Sequence, residues 1–431
     1  MIRIVSLLLI TLFFSSKAIV DEKATAFNSI AEQYVKLGLT IGQYDSDFVD
    51  AYFGPDSLQP ANEVSNKIPT DSLLQAVSRL QVQVSRYFNS EDPSLTIRAK
   101  WLNKQLIAFG RRIKIASGEF ASFDTESKEL FGAVAPIYST AHFDSVIRAI
   151  ENLLPGKQPL SQRIASITKE FVIPKDKLDT VFKVAIAEAR KRTLAHYDMP
   201  KEESFTIEYV TNKPWGGYNW YKGNYHSVIQ VNVDFPTHLE GAIDLACHEG
   251  YPGHHVYNAL LEQKLYKEKG WIEVSIYPLF SPQSLIAEGS AEYGIEVAFP
   301  GEEKIEFSKK VLAPLAGIKS NKIDVYFKLL ALMSQLKFSM NEGARKFING
   351  EIQKNAAIKL LRKYSLDSKE GAAQQLSFIK KYRSYVINYN YGLQIIMEYI
   401  EKNGGSANNP AKRWALFNWL LSNPVNPQDL L

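Results

Sequence analysis

The sequence predicts a mainly α-helical protein carrying one small antiparallel β-sheet. Three observations predict it. Apolar residues recur at i, i+3, i+4 and i+7 through most of the 431 residues, the spacing of a buried helix face. A single stretch, 204–234, alternates like strands instead. Prolines and glycines fall between the helical stretches, where breakers belong.

The chain opens with Arg3, an apolar run from Ile4 to Phe14, then Ser15, Ser16, Lys17 and Ala18. That order of charged, apolar and small residues is the pattern of a secretory signal peptide. The apolar run falls short of the roughly 20 residues that a membrane-spanning helix needs. We expect cleavage after Ala18 and an exported mature protein, periplasmic or extracellular, with no stable membrane insertion; an uncleaved N-terminal anchor is the alternative. Beyond the leader, Phe27, Ile30, Ala31, Tyr34 and Leu37 mark a first buried helix face. Amphipathic stretches follow at 71–88, 94–116, 177–196, 305–317, 322–349, 354–363 and 370–400. Pro55, Pro60, Pro155, Pro174, Pro200 and Pro300 separate elements. A helical region 19–160 and a region 161–431 are expected to form one continuous unit. Within 204–234, Phe205, Ile207 and Tyr209 alternate, as do Val228, Gln230 and Asn232, and Pro214-Trp215-Gly216-Gly217 is turn chemistry.

Composition narrows the function. Apolar residues at 45% and charged residues at 22% describe an ordinary folded protein. A formal charge of +4, evenly spread, lacks the basic footprint of a nucleic-acid binder. The one cysteine, Cys247, excludes an internal disulfide and any site built from several thiolates. It reads as a small buried hydrophobe.

Chemistry concentrates in 239–263, LEGAIDLACHEGYPGHHVYNALLEQ, where His248, His254 and His255 lie within eight residues and Glu249 follows His248. A zinc hydrolase needs N and O ligands, an open coordination position and a carboxylate beside it. A His-Glu pair on a helix supplies part of that. The usual partner position, i+4, is Pro252 here. On a straight helix His254 lies about 9 Å and His255 about 10.5 Å along the axis from His248, too far to share an ion. Pro252-Gly253 is the pair that disturbs a helix. A short excursion there would return a histidine to the first one, and His254 needs the smaller bulge; His255 stays as the alternative. A carboxylate from another helix completes a ligand set, and Glu288 is the best candidate, with Glu292 one turn later placed to orient a ligating histidine.

The segment HEGYPGHH resembles the HExxPGHH signature of a largely uncharacterised group related to gluzincin, thermolysin-like zinc metallopeptidases. Glu288-Gly289-Ser290-Ala291-Glu292-Tyr293 is similar to that group's EGWxxY motif, and Tyr389-Asn390-Tyr391-Gly392 to its late Tyr-x-x-Gly segment. The resemblance spans about 205–395. It implies a multi-helical gluzincin-like fold with a small sheet beside the metal-binding helix, and one zinc ion held by His248, His254 and Glu288. It also implies Glu249 as general base and Tyr389, or Arg383 or Tyr385, as donor to the oxyanion. Ser290 stands where the group usually has Trp, a change in the lining rather than in the ligands.

The expected activity is therefore zinc-dependent hydrolysis of a peptide or peptide-like substrate. A non-catalytic metal- or peptide-binding protein of the same fold, or a zinc amidase acting on a non-peptide amide, are the alternatives; retention of Glu249 speaks against the first. Tyr218, Trp220, Tyr221 and Tyr225, with His226 nearby, are candidate substrate walls, and the strand ending near Asp234 is a candidate for pairing with an extended peptide.

Overall fold

The structure, a computed structural model, describes residues 2–61, 67–213, 215–319 and 321–431, with side chains from Lys23 onward. The expected leader, residues 1–18, lies outside the residues whose side chains are described. Among the described residues no helix is long and apolar enough to cross a membrane.

Helices dominate, as the periodicity predicts. Helix α1 (Ile2–Tyr44) buries Phe27, Ala31, Tyr34 and Ile41 along one stripe. Strand β1 (Val49–Tyr52) follows, then α2 (Thr70–Ser85), α3 (Pro93–Ala116), α4 (Phe123–Phe131), α5 (Thr140–Leu153), α6 (Leu160–Thr168) and α7 (Leu178–Leu194). Local chemistry starts several of these. Asp92 caps α3 ahead of Pro93, and Ser122 and Ser139 cap α4 and α5, each worth about 1 kcal/mol. Tyr34 stacks on Phe109 of α3 with ring centroids 4.9 Å apart. Deep in that interface Arg98 pairs with Glu273 at 2.6 and 2.8 Å, which ties α3 to a segment 175 residues away.

Three strands form the expected small sheet: β2 (Ser204–Val210), β3 (Gly217–Gly223) and β4 (His226–Asn232), in the order β2-β4-β3. β3 and β4 pair antiparallel, whereas β2 lies parallel to β4. Strand β4 is thus paired on both sides. The expectation that the strand ending near Asp234 adds a peptide is corrected: its hydrogen-bonding groups are already used, and β3 is the strand at the edge near the histidines.

Helix α8 (Leu239–Leu245) runs into a wide π turn, Ala246–Gly250, and α9 (His254–Leu261) starts afresh four residues later. Strand β5 (Ile276–Pro278) pairs antiparallel with β1 and leads into α10 (Pro282–Ala298). The rest is α11 (Glu302–Phe307), α12 (Ala313–Ala316), α13 (Ile323–Leu336), α14 (Phe338–Ile348), α15 (Lys354–Ser365), α16 (Lys369–Tyr382), α17 (Ile387–Lys402) and α18 (Pro410–Leu421). Helix α10 is buried almost all round, the mark of a central helix.

Two stretches that read as continuous are divided. The stretch 322–349 splits into α13 and α14 at Lys337. The stretch 370–400 breaks at Arg383, which has φ 53°. A non-glycine residue there costs on the order of 1–3 kcal/mol; the two-pronged ion pair of Arg383 with Glu126, at 2.6 and 2.8 Å, holds it. The break turns the chain through a short 3₁₀ segment, Arg383–Val386, into α17. Helices α10 and α17 then touch backbone to backbone. A Cβ on Gly289 would stand 2.4 Å from the carbonyl carbon of Gly392, and one on Gly392 2.8 Å from the carbonyl oxygen of Leu285. Only glycine fits at this crossing, and the crossing sets Glu288 against the tyrosines of the 383–392 segment.

Candidate metal centre

The break after His248 is sharper than a bulge. The N–H of Tyr251 donates to the carbonyl of Ala246 at 2.9 Å, closing the π turn, and the N–H of Gly253 donates to the carbonyl of Cys247 at 2.9 Å. The Tyr251–Pro252 bond is cis. Gly253 is required: a Cβ there would stand 2.0 Å from the carbonyl oxygen of His248 and 2.3 Å from that of Cys247. Helix α9 thus begins at His254, folded back onto the preceding turn. The excursion expected at Pro252-Gly253 is present, as a full break between two helices.

The consequence is a triangle of ligand atoms. Nε2 of His254 lies 3.2 Å from Nε2 of His248. Glu288 Oε2 lies 3.4 Å from Nε2 of His248 and 3.7 Å from Nε2 of His254. Oε2 of Glu288 is buried and has no hydrogen-bond donor, while Oε1 accepts a hydrogen bond from the Tyr385 hydroxyl at 2.9 Å. Two ring nitrogens and a carboxylate oxygen thus converge on one point, an arrangement that suits a bound cation. Ligand bonds of about 2.0–2.1 Å in a tetrahedron place ligand atoms roughly 3.3–3.4 Å apart. The three observed separations straddle that figure, and the donor set of two imidazoles and one carboxylate suits a first-row transition ion such as zinc. Among the described residues His248, His254 and Glu288 form the group able to hold one metal ion.

Neighbouring side chains tune the group. Burial alone would lower the His248 pKa, but the carboxylates of Glu288, Glu249 and Glu292 outweigh it and raise it to about 9 without a metal. Burial opposes ionisation of Glu288, and the two histidines overcome it, holding its carboxyl well below the usual range. Glu292 Oε1 comes to 3.8 Å from His248 Nδ1, on the side expected but longer than a hydrogen bond. Glu249 is 6% exposed, and among the described residues its carboxylate pairs with no lysine or arginine. Burial is the main cause that pushes its pKa up. Its backbone carbonyl accepts from Asn219 Nδ2 at 2.6 Å, which pins the π turn to β3. Gly217 lies against the same carboxylate, where a Cβ would come 3.1 Å from Glu249 Oε1.

The structure sorts the remaining expectations by partner. Tyr389 is half-buried on α17, with the charges of Glu288, Glu249 and Glu292 as its neighbours, and its hydroxyl is committed to no hydrogen bond among the described residues. Tyr385 is spent on Glu288. Arg383 is spent on Glu126 and is not brought to the metal group, a correction that follows from the backbone break it stabilises. His255 is corrected too. It is fully buried, with Nδ1 2.9 Å from Ser227 Oγ and Nε2 3.0 Å from Glu203 Oε2, so both ring nitrogens are engaged away from the ion site. Tyr221 donates to Glu262, and the Tyr225 N–H donates to the same carboxylate at 3.3 Å. His226 pairs with Ser204 at 3.2 Å. These three belong to the far end of the sheet, whereas Tyr218, with Trp220 packed against its ring, reaches toward the metal group.

Two parts of the site carry no local signal. Glu203 gathers His255, Tyr251 and Arg190 and so supports the break from beneath. Asp50, on β1, accepts a hydrogen bond from the Tyr218 hydroxyl and has His254, Glu288 and Glu249 as charged neighbours. Burial is the first cause raising its pKa, to about 6, with Tyr218 and His254 opposing. Neither residue sits in a motif, and each reaches the site only through pairing that local spacing does not encode.

No family model matches the sequence, and no curated protein matches it. Solved structures do. A candidate lipoprotein from Colwellia psychrerythraea superposes with a TM-score of 0.52 at 14% identity, over 83% of this chain and 65% of that one. The present chain therefore spans about two thirds of its length. A structure named BsuCP superposes with a TM-score of 0.50 at 10% identity, over 92% of this chain and 89% of that one. The likeness is one of fold. It establishes the mainly helical architecture with small sheets as one that known proteins share.

Proposed function

We propose that the protein is an exported zinc-dependent hydrolase that cleaves peptide bonds. The observation that carries this reading is the buried carboxylate of Glu249, unpaired among the described residues, beside the His248, His254 and Glu288 triangle. A metal site that only holds a fold together needs no such group. The resemblance of HEGYPGHH to the gluzincin-like signature supports the reading, and the leader-like first residues and the lipoprotein description of one fold relative support export.

When bound, the ion supplies Lewis acidity that polarises a substrate carbonyl and acidifies a water molecule. The chain's own residues do the rest. Glu249, its pKa raised by burial, takes a proton from the attacking water on its carboxylate oxygen and passes it to the leaving amine nitrogen. The Tyr389 hydroxyl, uncommitted, donates to the carbonyl oxygen as negative charge grows there. Tyr385 holds Glu288 in orientation, and Asn219 holds the turn that carries Glu249.

The test is elemental analysis of the purified protein together with a quenched-fluorescent peptide library. One zinc per chain and peptide cleavage that Glu249→Gln reduces by about 10²–10⁴-fold, with metal content unchanged, is the expected result. Metal binding without cleavage of any peptide sinks the peptidase reading and leaves a binding protein or an amidase of other bonds.

A further inference from the structure

Beside the metal centre lies a carboxylate that the proposed chemistry does not use. Asp50 is half-buried on β1, a strand fixed by its ladder to β5. One of its oxygens, Oδ1, accepts from the Tyr218 hydroxyl; the other accepts nothing among the described residues. It is not part of the ligand group, which comprises His248, His254 and Glu288. No lysine or arginine pairs with Asp50, Glu249 or Glu288 among the described residues, and Lys337 reaches only Glu292, at 3.9 Å. Four carboxylates, of Asp50, Glu249, Glu288 and Glu292, thus gather around a group that would hold one divalent ion. The cleft keeps a negative surplus that one distant lysine does not cancel.

We propose that Asp50 is a specificity residue that binds a substrate ammonium group beside the scissile bond. The inference rests on the hydrolase reading above and names the class of substrate. Its chemistry follows from the one open oxygen. A guanidinium prefers two parallel bonds to a carboxylate, and Tyr218 occupies half of that face. An ammonium is a compact donor that needs one oxygen and tolerates the other being taken. Aromatic rings stand around the same spot: Tyr218 lies 5.5 Å from Trp215 and 4.6 Å from Trp220 between centroids, and such faces attract cations. The ammonium is that of a peptide N-terminus or of a lysine side chain, and the two are told apart by experiment.

The probes are tetra-alanine, its des-amino analogue, which lacks only the ammonium, and a des-amino analogue with one lysine. Each is titrated calorimetrically into zinc-loaded Glu249→Gln protein, and each is assayed for cleavage by zinc-loaded wild type. Tetra-alanine is expected to bind and be cleaved at least about ten-fold better than the des-amino peptide. Asp50→Asn, checked for unchanged zinc content and melting temperature, is expected to erase that preference mainly through KM. A preference for tetra-alanine over the des-amino peptide assigns the ammonium to the N-terminus; a preference shown by the lysine analogue alone assigns it to a side chain. Equal binding and cleavage of all three peptides by wild type overturns the proposal whatever the variant does, as does binding of none of them. Preferential binding without cleavage overturns the peptidase reading and leaves the ammonium site standing.

Discussion

Replacing Gly253 with alanine should cost the protein its metal without unfolding it. The added Cβ would stand 2.0 Å from the His248 carbonyl oxygen and 2.3 Å from that of Cys247, where non-bonded atoms settle at roughly 3.5 Å. Relief demands a backbone shift of more than about 1 Å between His248 and His254, the two residues that the break holds 3.2 Å apart at Nε2. Metal sites tolerate displacements of only about 0.2 Å, so one imidazole leaves the triangle. Loss of a well-placed ligand weakens metal affinity by about 10²-fold or more, roughly 3 kcal/mol. The helices on either side keep their buried residues, Leu239 and Ile243 in α8 and Val256 and Leu260 in α9. Competition titration against a zinc chelator measures the affinity, and thermal unfolding of the metal-free protein checks the fold. If Gly253→Ala binds zinc as tightly as wild type, the break does not position the ligands and the reasoning is refuted.

Further consequences are open to direct measurement. Tyr389→Phe removes an uncommitted donor and should lower kcat by about 10²-fold, with zinc content and KM nearly unchanged; an unaltered kcat removes Tyr389 from the reaction. Glu273→Gln leaves Arg98, 4% exposed, as an unpaired buried charge and should destabilise the fold by about 3–5 kcal/mol in denaturant unfolding. Glu240, whose burial raises its pKa to about 7, binds its proton more tightly folded than unfolded. Its stabilising contribution is therefore full below the unfolded value near 4.5 and fades as pH rises through about 7. Glu240→Gln should flatten that part of the stability profile, and an unchanged slope would contradict the burial.

How much of this was legible depends on the range over which each feature is encoded. Helix faces repeat every few residues, so the stripe Phe27, Ala31 and Tyr34 was readable, as were α2, α3 and α7. The proline and glycine at 252 and 253 announced a disturbance between His248 and His254, because each acts on the backbone locally. Glu288 was legible as a carboxylate on a second helical pattern, with Glu292 one turn later. What stayed hidden is set by distant pairing. His255 looked like a rival ligand until Glu203 and Ser227 were seen to hold both its nitrogens. Arg383 sits within a helical period, and only Glu126, 257 residues earlier in the chain, makes its left-handed backbone tenable. The parallel placing of β2 beside β4 and the arrival of Asp50 at the metal centre follow from topology, which spacing along the chain does not record.

The most direct test of the account is a crystal of the protein grown with zinc and measured at the zinc absorption edge. A single anomalous peak about 2.0–2.2 Å from Nε2 of His248, Nε2 of His254 and an oxygen of Glu288 is the predicted result. An empty site with zinc supplied, or a peak held by His255 in place of His254, would contradict it.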